Sequence, residues 1–115
     1  MANTLKGITK SGSSQSQNSD LTVYTAGGSV TAVIIIGFNI ANLLGSAITV
    51  QVKIDADNSG SFDDVFLTKD LTIPAGSSIE IMAGNKLIIN ANDAVKVQAN
   101  TDNAFDVSLS LVEQT

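Results

Sequence analysis

The stretch AITVQVKID at positions 47–55 alternates apolar and polar residues over its whole length. A repeat of two residues is the period of a β-strand, because successive side chains point to opposite faces of the sheet. The apolar side consists of Ile48, Val50, Val52 and Ile54, and the polar side of Thr49, Gln51, Lys53 and Asp55. The stretch therefore predicts a strand with one face in the core and the other in solvent.

Similar β-rich runs occupy most of the chain after position 20, and Gly, Asn, Asp and Pro residues separate them. Helix signals are nearly absent, and 115 residues fit one domain. We predict an all-β fold, an antiparallel β-sandwich of the jelly-roll-like or Ig-like kind with about eight strands. The predicted runs are Leu21–Thr25, Ser29–Ala41, Ala47–Asp55, Phe62–Lys69, Leu71–Ile73, Lys86–Asn90, Ala94–Ala99 and Phe105–Val112; Ile79 and Ile81 are expected to face one side.

The apolar run from Val30 to Leu44 raises the question of a membrane span. It is shorter than the roughly 20 residues of a spanning helix, and Gly and Asn residues interrupt it. We therefore interpret it as a buried strand, and its Val33–Ile36 segment is so apolar that we expect both faces to be covered. The N-terminus has no apolar segment of the secretory type, so we expect a protein that stays where it is made.

Residues 1–20 are predicted to be an N-terminal arm, separate from a single sandwich domain over residues 21–115. The segment Ser11–Asp20 has no apolar residue that could offset its ordering entropy, so we expect it to be flexible or ordered by a partner. The preceding Thr4–Ile8 alternates weakly. It is interpreted as an edge strand that pairs only after assembly.

The composition argues against catalysis and against a cofactor. The chain has no Cys and no His, which removes the usual zinc ligands and the Ser-His and Cys-His nucleophile pairs. Its scattered acidic residues are interpreted as solvated loop residues and not as a catalytic pair; they include Asp63, Asp64, Asp70, Glu80 and Glu113. We therefore expect that the protein is not an enzyme.

The charge balance restricts the partners. The net charge is -5, and all six basic residues are Lys, so the chain lacks a dense phosphate-binding face. The same acidity opposes attraction to anionic lipid surfaces. We expect neither nucleic acid nor membrane as a partner.

One local pattern is a candidate calcium loop. Positions 55–63 place oxygen-bearing side chains at alternate positions around Gly60, as a calcium loop does, and the candidate ligands are Asp55, Asp57, Ser59 and Asp63. The position that should carry a closing Glu is Phe66, and the context is a hairpin between strands. A plain polar hairpin, reversed by Asn58–Gly60, is the favoured alternative.

Two stretches of the sequence resemble stretches found in a known group of proteins. They are YTAGGSVTAV at positions 24–33 and KDLTIPAGSS at positions 69–78. The shorter segments Ile40-Ala41-Asn42 and ANDAVKV, at positions 91–97, also resemble this group. The group is that of small β-sandwich virion structural proteins of tailed bacteriophages. The resemblance spans Leu21–Glu113 and rests on the sequences of the β-strands, not on catalytic residues.

The resemblance implies a protein made in the host cytoplasm and carried on the virion. It implies a capsid decoration or cement protein that stabilises the shell through subunit contacts, as a homo-oligomer and with the major capsid protein. A tail, fibre or baseplate component, contacting tail proteins, is the second interpretation. A calcium-dependent or carbohydrate-binding adhesion module is a third, which depends on the 55–63 hairpin alone.

Overall fold

The computed structural model describes residues 2–56, 64–82, 84 and 86–115. Within these residues the chain forms nine β-strands and no α-helix, and so no helix long and apolar enough to cross a membrane. The strands are β1 (Asn3–Ser11), β2 (Leu21–Thr25), β3 (Ala32–Asn42), β4 (Ile48–Asp55), β5 (Asp64–Ile73), β6 (Ser78–Glu80), β7 (Leu87–Ile89), β8 (Ala94–Ala99) and β9 (Phe105–Gln114). The predicted all-β class is confirmed.

The strands form two antiparallel sheets that pack face to face. The larger sheet has the order β1-β9-β3-β6, with β7 also paired to β3, and the smaller sheet has the order β2-β8-β4-β5. The pairs are nested along the chain: β1 pairs with β9, β2 with β8, β3 with β6 and β7, and β4 with β5. This nesting is the jelly-roll arrangement, so the structure selects the jelly-roll-like alternative over the Ig-like one.

The core lies between the two sheets and is aliphatic with a few aromatic rings. In β4, Ile48, Val50 and Val52 are at most 1% exposed, as the alternation at 47–55 predicts. The largest fully buried side chains include Phe38 of β3 and Phe105 of β9, which belong to the larger sheet, opposite β4. Burial of the inner faces supplies the main stabilisation of the fold.

The expectation that both faces of Val33–Ile36 are covered is wrong. Val33 and Ile35 are fully buried, but Ile36 is 41% exposed. The pairing of β3 with β9 skips one residue between Ile35 and Gly37, so Ile36 sits in a β-bulge. The outer side of β3 is covered by no other element of the described chain.

Strand β5 joins two runs that the sequence separates at Asp70. Its pairing with β4 shifts register between Val50 and Val52, and Asp70 has a positive φ of 56°. Such a backbone conformation fits a bulge, and Asp tolerates it better than most residues. One bent strand therefore replaces two short ones.

The N-terminal segment is not the flexible arm that the sequence predicts. Strand β1 pairs with β9 in an unbroken register from Asn3–Gln114 to Ser11–Asp106. The following residues are tied to the body by backbone bonds, from Gly12 N–H to the Phe105 carbonyl (2.6 Å) and from Asn18 N–H to the Ala99 carbonyl (2.7 Å). Main-chain hydrogen bonds, to which side-chain hydrophobicity gives no clue, order this segment.

Candidate interaction surface

The outer face of the smaller sheet is occupied by its own polar network. The Asp20 carboxylate accepts a hydrogen bond from the Gln98 side chain (2.8 Å) and lies 2.9 Å from the Lys53 ammonium. Gln51 donates to Asp70 at 3.1 Å. These side chains satisfy one another, as on an ordinary solvated sheet surface, and the same face also exposes the ring of Phe66, which lies opposite Lys53.

The outer face of the larger sheet carries an apolar row. Leu5 of β1 lies opposite Val112 of β9, Val112 lies opposite Ile34 of β3, and Ile34 lies opposite Ile88 of β7. Leu5 is 76% exposed and Ile88 is 64% exposed, while Ile36 of the bulge extends the exposed apolar surface. Four strands therefore align apolar side chains in one register on a solvent-facing surface.

The remainder of this outer face is small and poor in charge. Its other paired positions, in order from the Asn3 end to the Ser11 end, are Asn3, Gln114 and Ala32; Gly7, Ser110 and Gly37; Thr9, Ser108, Asn39 and Glu80; and Ser11, Asp106, Ala41 and Ser78. Only two of these positions are charged, both are carboxylates, and none is a lysine. A surface of this kind can approach another protein closely without burying many charges.

Glu80 is exposed, as the sequence predicts, but it lies in strand β6 and not in a loop. It ends β6 opposite Asn39, and its Oε1 accepts a hydrogen bond from the backbone N–H of Phe38 at 2.8 Å. Phe38 follows the β3 bulge, where the regular ladder is interrupted. The carboxylate thus satisfies a donor next to the bulge, and its role is structural.

A shallow cavity of about 490 Å³, which we call the Asp106 trough, opens at the other end of the outer face. Side chains on this face contribute hydroxyl, amide and carboxylate groups, and the residues that line the trough are Thr9, Lys10, Ser11, Asn39, Ala41, Asp106, Val107 and Ser108. The Oδ1 atom of Asp106 is buried and accepts no hydrogen bond from any described residue.

A polar cluster joins the two sheets near the apolar row. The Tyr24 hydroxyl donates to Oε2 of Glu113, whose Oε1 lies 3.1 Å from the Lys6 ammonium. The hydrogen bond from Tyr24 and then the one from Lys6 hold the pKa of Glu113 below its ordinary value. Burial, followed by the bond to Glu113, raises the pKa of Tyr24 well above its ordinary value. Glu113, like Glu80, therefore has a structural role.

Of the four candidate calcium ligands, the structure describes Asp55. It is 1% exposed, and its Oδ2 lies 2.7 Å from the ammonium of Lys96 on β8. Asp57, Ser59 and Asp63 lie outside the described residues. Within the described part of the chain, no three His, Cys, Asp or Glu side chains come together in a way that could hold a metal ion.

Sequence reasoning missed both features of this surface. Leu5, Val112, Ile34 and Ile88 come from four strands, and their alignment depends on the register of three strand pairs. The one local signal was the alternation at 105–112, which places Asp106 and Ser108 together on the polar side of β9.

Comparison with known proteins identifies no family. No protein-family model matches the chain, and no curated protein matches it. One similar solved structure is described as "Crystal structure of infectious bursal disease virus VP2 subviral particle", at 15% identity and a TM-score of 0.30. The match covers 98% of this chain but 41% of that one, so this chain spans less than half of its length. A TM-score of 0.30 does not establish a shared fold.

Proposed function

We propose that this protein is a structural component of a tailed-bacteriophage virion, acting as a capsid decoration or cement protein. The observation that carries the proposal is the apolar row on the charge-poor outer face of the larger sheet. An exposed apolar patch that spans several strands favours a protein-binding surface over a solvated one. We propose that this face docks on another protein of the particle.

The size of the apolar contact fits a protein that acts in many copies. Burying the exposed parts of Leu5 and Ile88 contributes roughly 1–2 kcal/mol each. Association costs at least about 4 kcal/mol of translational and rotational freedom, so these two contacts alone do not hold a complex. Contacts repeated over a symmetric shell, or further contacts from each copy, supply the difference.

The charge of the face argues for a docking partner other than the same face of a second copy. Glu80 and Asp106 are acidic, and the other paired positions of this face are uncharged. Two such faces together would bring four carboxylates into one interface with no cation from either face. We therefore propose a shell protein as the docking partner, and expect homo-oligomer contacts to use other surfaces, such as the exposed edge of β1.

The fold is compatible with this role and also with other roles. Jelly rolls occur in viral capsid proteins and in lectins, and a fold alone does not determine function. The resemblance of positions 24–33 and 69–78 to phage virion proteins favours the first of these. The adhesion-module alternative depends on the sequence pattern at positions 55–63, and its first residue, Asp55, is already paired with Lys96.

A tail, fibre or baseplate position is the second candidate within the same virion interpretation. The same docking face would serve there, so the two candidates differ in copy number and not in chemistry. A decoration protein occurs in numbers comparable to the capsomers, whereas a tail component occurs in a few rings or fibres.

The experiment is quantitative gel or mass-spectrometric analysis of purified particles, with shells and tails separated. We expect the protein to remain with the shells in a number set by the shell lattice. Recovery of the protein with the tails in low number would favour the second candidate, a tail, fibre or baseplate position. Its absence from both fractions would contradict the virion role.

A further inference from the structure

The Asp106 trough lies on the same outer face as the apolar row, at its opposite end. We infer that this trough binds a cationic side chain, an arginine in particular, from the protein that docks on the face. The identity of that protein rests on the proposed function. The binding of a cation by the trough does not depend on the proposed function, so it is testable on the isolated chain.

The first argument is the unsatisfied carboxylate oxygen. Oδ1 of Asp106 is buried, and no described donor reaches it, although Thr9, Ser11 and Ser108 provide hydroxyl groups in the same trough. A buried acceptor without a hydrogen bond is unfavourable, so a donor that enters the trough, whether water or a side chain of another protein, is stabilised by binding the carboxyl group. Asp106 lines the open trough, so its carboxyl group borders a space that a donor can enter.

The second argument concerns the chemistry of the lining. Apart from Lys10, the polar side chains that line the trough supply one carboxylate, three hydroxyl groups and one amide, and the lining has no aromatic ring. A single carboxylate is a poor match for calcium, which takes six to eight oxygen ligands, often from several carboxylates. The absence of an aromatic ring removes the usual stacking surface for a sugar. A monovalent cation that donates several hydrogen bonds is the class that fits best.

The third argument is that the chain does not supply this cation on the same face. Lys10 lines the trough, but it lies opposite Val107, whose side chain is buried in the core. Paired residues share a face, so the Lys10 side chain leaves β1 on the other side of the sheet. The full sequence contains no arginine, because all six basic residues are lysines. An arginine in the trough therefore belongs to another protein.

Arginine fits better than lysine because its planar group donates several hydrogen bonds in a fixed fork and is weakly hydrated. A cavity of about 490 Å³ has room for a guanidinium group and part of its stem. On β9, Asp106 and Val112 are six residues apart, which corresponds to about 20 Å along a strand. The docking partner should thus present an arginine about 20 Å from an apolar cluster.

The test is an NMR titration of the ¹⁵N-labelled full chain with Nα-acetyl-arginine amide. The neutral control probe is the citrulline analogue, which has nearly the same shape and no charge. We expect saturable shifts of the backbone amides of Ser11, Asn39 and Ser108, with a dissociation constant in the millimolar range that suits one charge-assisted contact. The citrulline probe should produce no saturable shift.

Asp106→Asn preserves the size of the side chain and removes its charge, and we expect it to weaken binding of the arginine probe by about tenfold or more. Asp70→Asn, on the other sheet, is the matched control and should bind as the native chain does. Equal shifts from both probes, or equal affinity in Asp106→Asn, would overturn the inference. No saturable shift at tens of millimolar would show that the trough holds solvent only, whether or not the protein is found on virions.

Discussion

The hydroxyl of Tyr24 on the smaller sheet donates a hydrogen bond to the carboxylate of Glu113 on the larger sheet. Lys6 of β1 contacts the same carboxylate from the other side, at 3.1 Å. Glu113 thereby ties the N-terminal edge strand and both sheets to one charged group. Glu113 directly follows Val112, so its side chain lies on the inner face of the larger sheet, behind this end of the apolar row.

Replacing Tyr24 tests the strength of this link. We expect Tyr24→Phe to lower the free energy of unfolding by about 1.5–3 kcal/mol, the usual contribution of a hydrogen bond to a charged group. Urea denaturation at neutral pH measures the change. The same substitution in a Glu113→Gln background should cost clearly less, and an equal cost in both backgrounds would contradict the link.

The pH dependence of that effect follows from the lowered pKa of Glu113. A carboxyl group whose pKa is lower in the folded chain stabilises the fold above its unfolded pKa, and this stabilisation is lost as the pH falls. The stability difference between native protein and Tyr24→Phe should therefore be largest near neutrality and shrink below about pH 4. Urea denaturation at a series of pH values measures it. A difference that grows on acidification would show that Glu113 is not the acceptor that matters.

Asp55 is expected to be important for stability. It is 1% exposed and paired with Lys96 at 2.7 Å, so Asp55→Asn leaves a partly buried ammonium with less compensation. Breaking a buried ion pair from one side costs about 3–5 kcal/mol. Thermal denaturation should show a large loss of stability for this variant and little change for the exposed Asp70→Asn. Similar melting temperatures for both variants would contradict the prediction.

Calcium is expected to leave the melting temperature unchanged. A calcium ion bound by the residues of positions 55–63 through Asp55 would have to compete with the Lys96 ammonium for the Asp55 carboxylate. The measurement compares the Tm of the full chain in calcium and in EGTA. A calcium-dependent rise in Tm that disappears in Asp57→Ala would instead support the adhesion-module alternative.

Gly12 fixes the point where β1 leaves the body of the fold. A Cβ added there would lie 2.7 Å from the carbonyl oxygen of Phe105 and 3.0 Å from its ring. We expect Gly12→Ala to cost about 1–3 kcal/mol through this overlap. Gly7→Ala is the matched control within β1, because nothing lies within 4 Å of its added Cβ. Equal stability of the two variants in urea denaturation would show that Gly12 tolerates a side chain.

Much of the fold follows from local sequence. The bounds of β2 and β8 match the predicted runs, and the period of two at 47–55 correctly assigns the buried face of β4. These predictions succeed because each depends on side chains within one strand. Local alternation alone gives a strand its two faces.

The errors occur where pairing between distant segments decides the structure. Strand β1 has weak alternation, and its order comes from backbone bonds to β9, about a hundred residues later. Ile36 is exposed because a bulge and an uncovered outer face replace the regular strand that its apolar neighbours predict. The apolar row and the Asp106 trough depend on register in the same way, so no single segment reveals them.

The most direct test of the central claim counts copies per particle for variants of the docking face. Ile88→Glu places a charge in the apolar row, and Thr72→Glu places the same charge on the exposed outer face of the smaller sheet. Both sites are exposed, so circular dichroism should show folded protein in each case. We predict that purified particles carry a normal number of Thr72→Glu copies and few or no Ile88→Glu copies. Equal incorporation of the two variants would contradict docking through the outer face of the larger sheet.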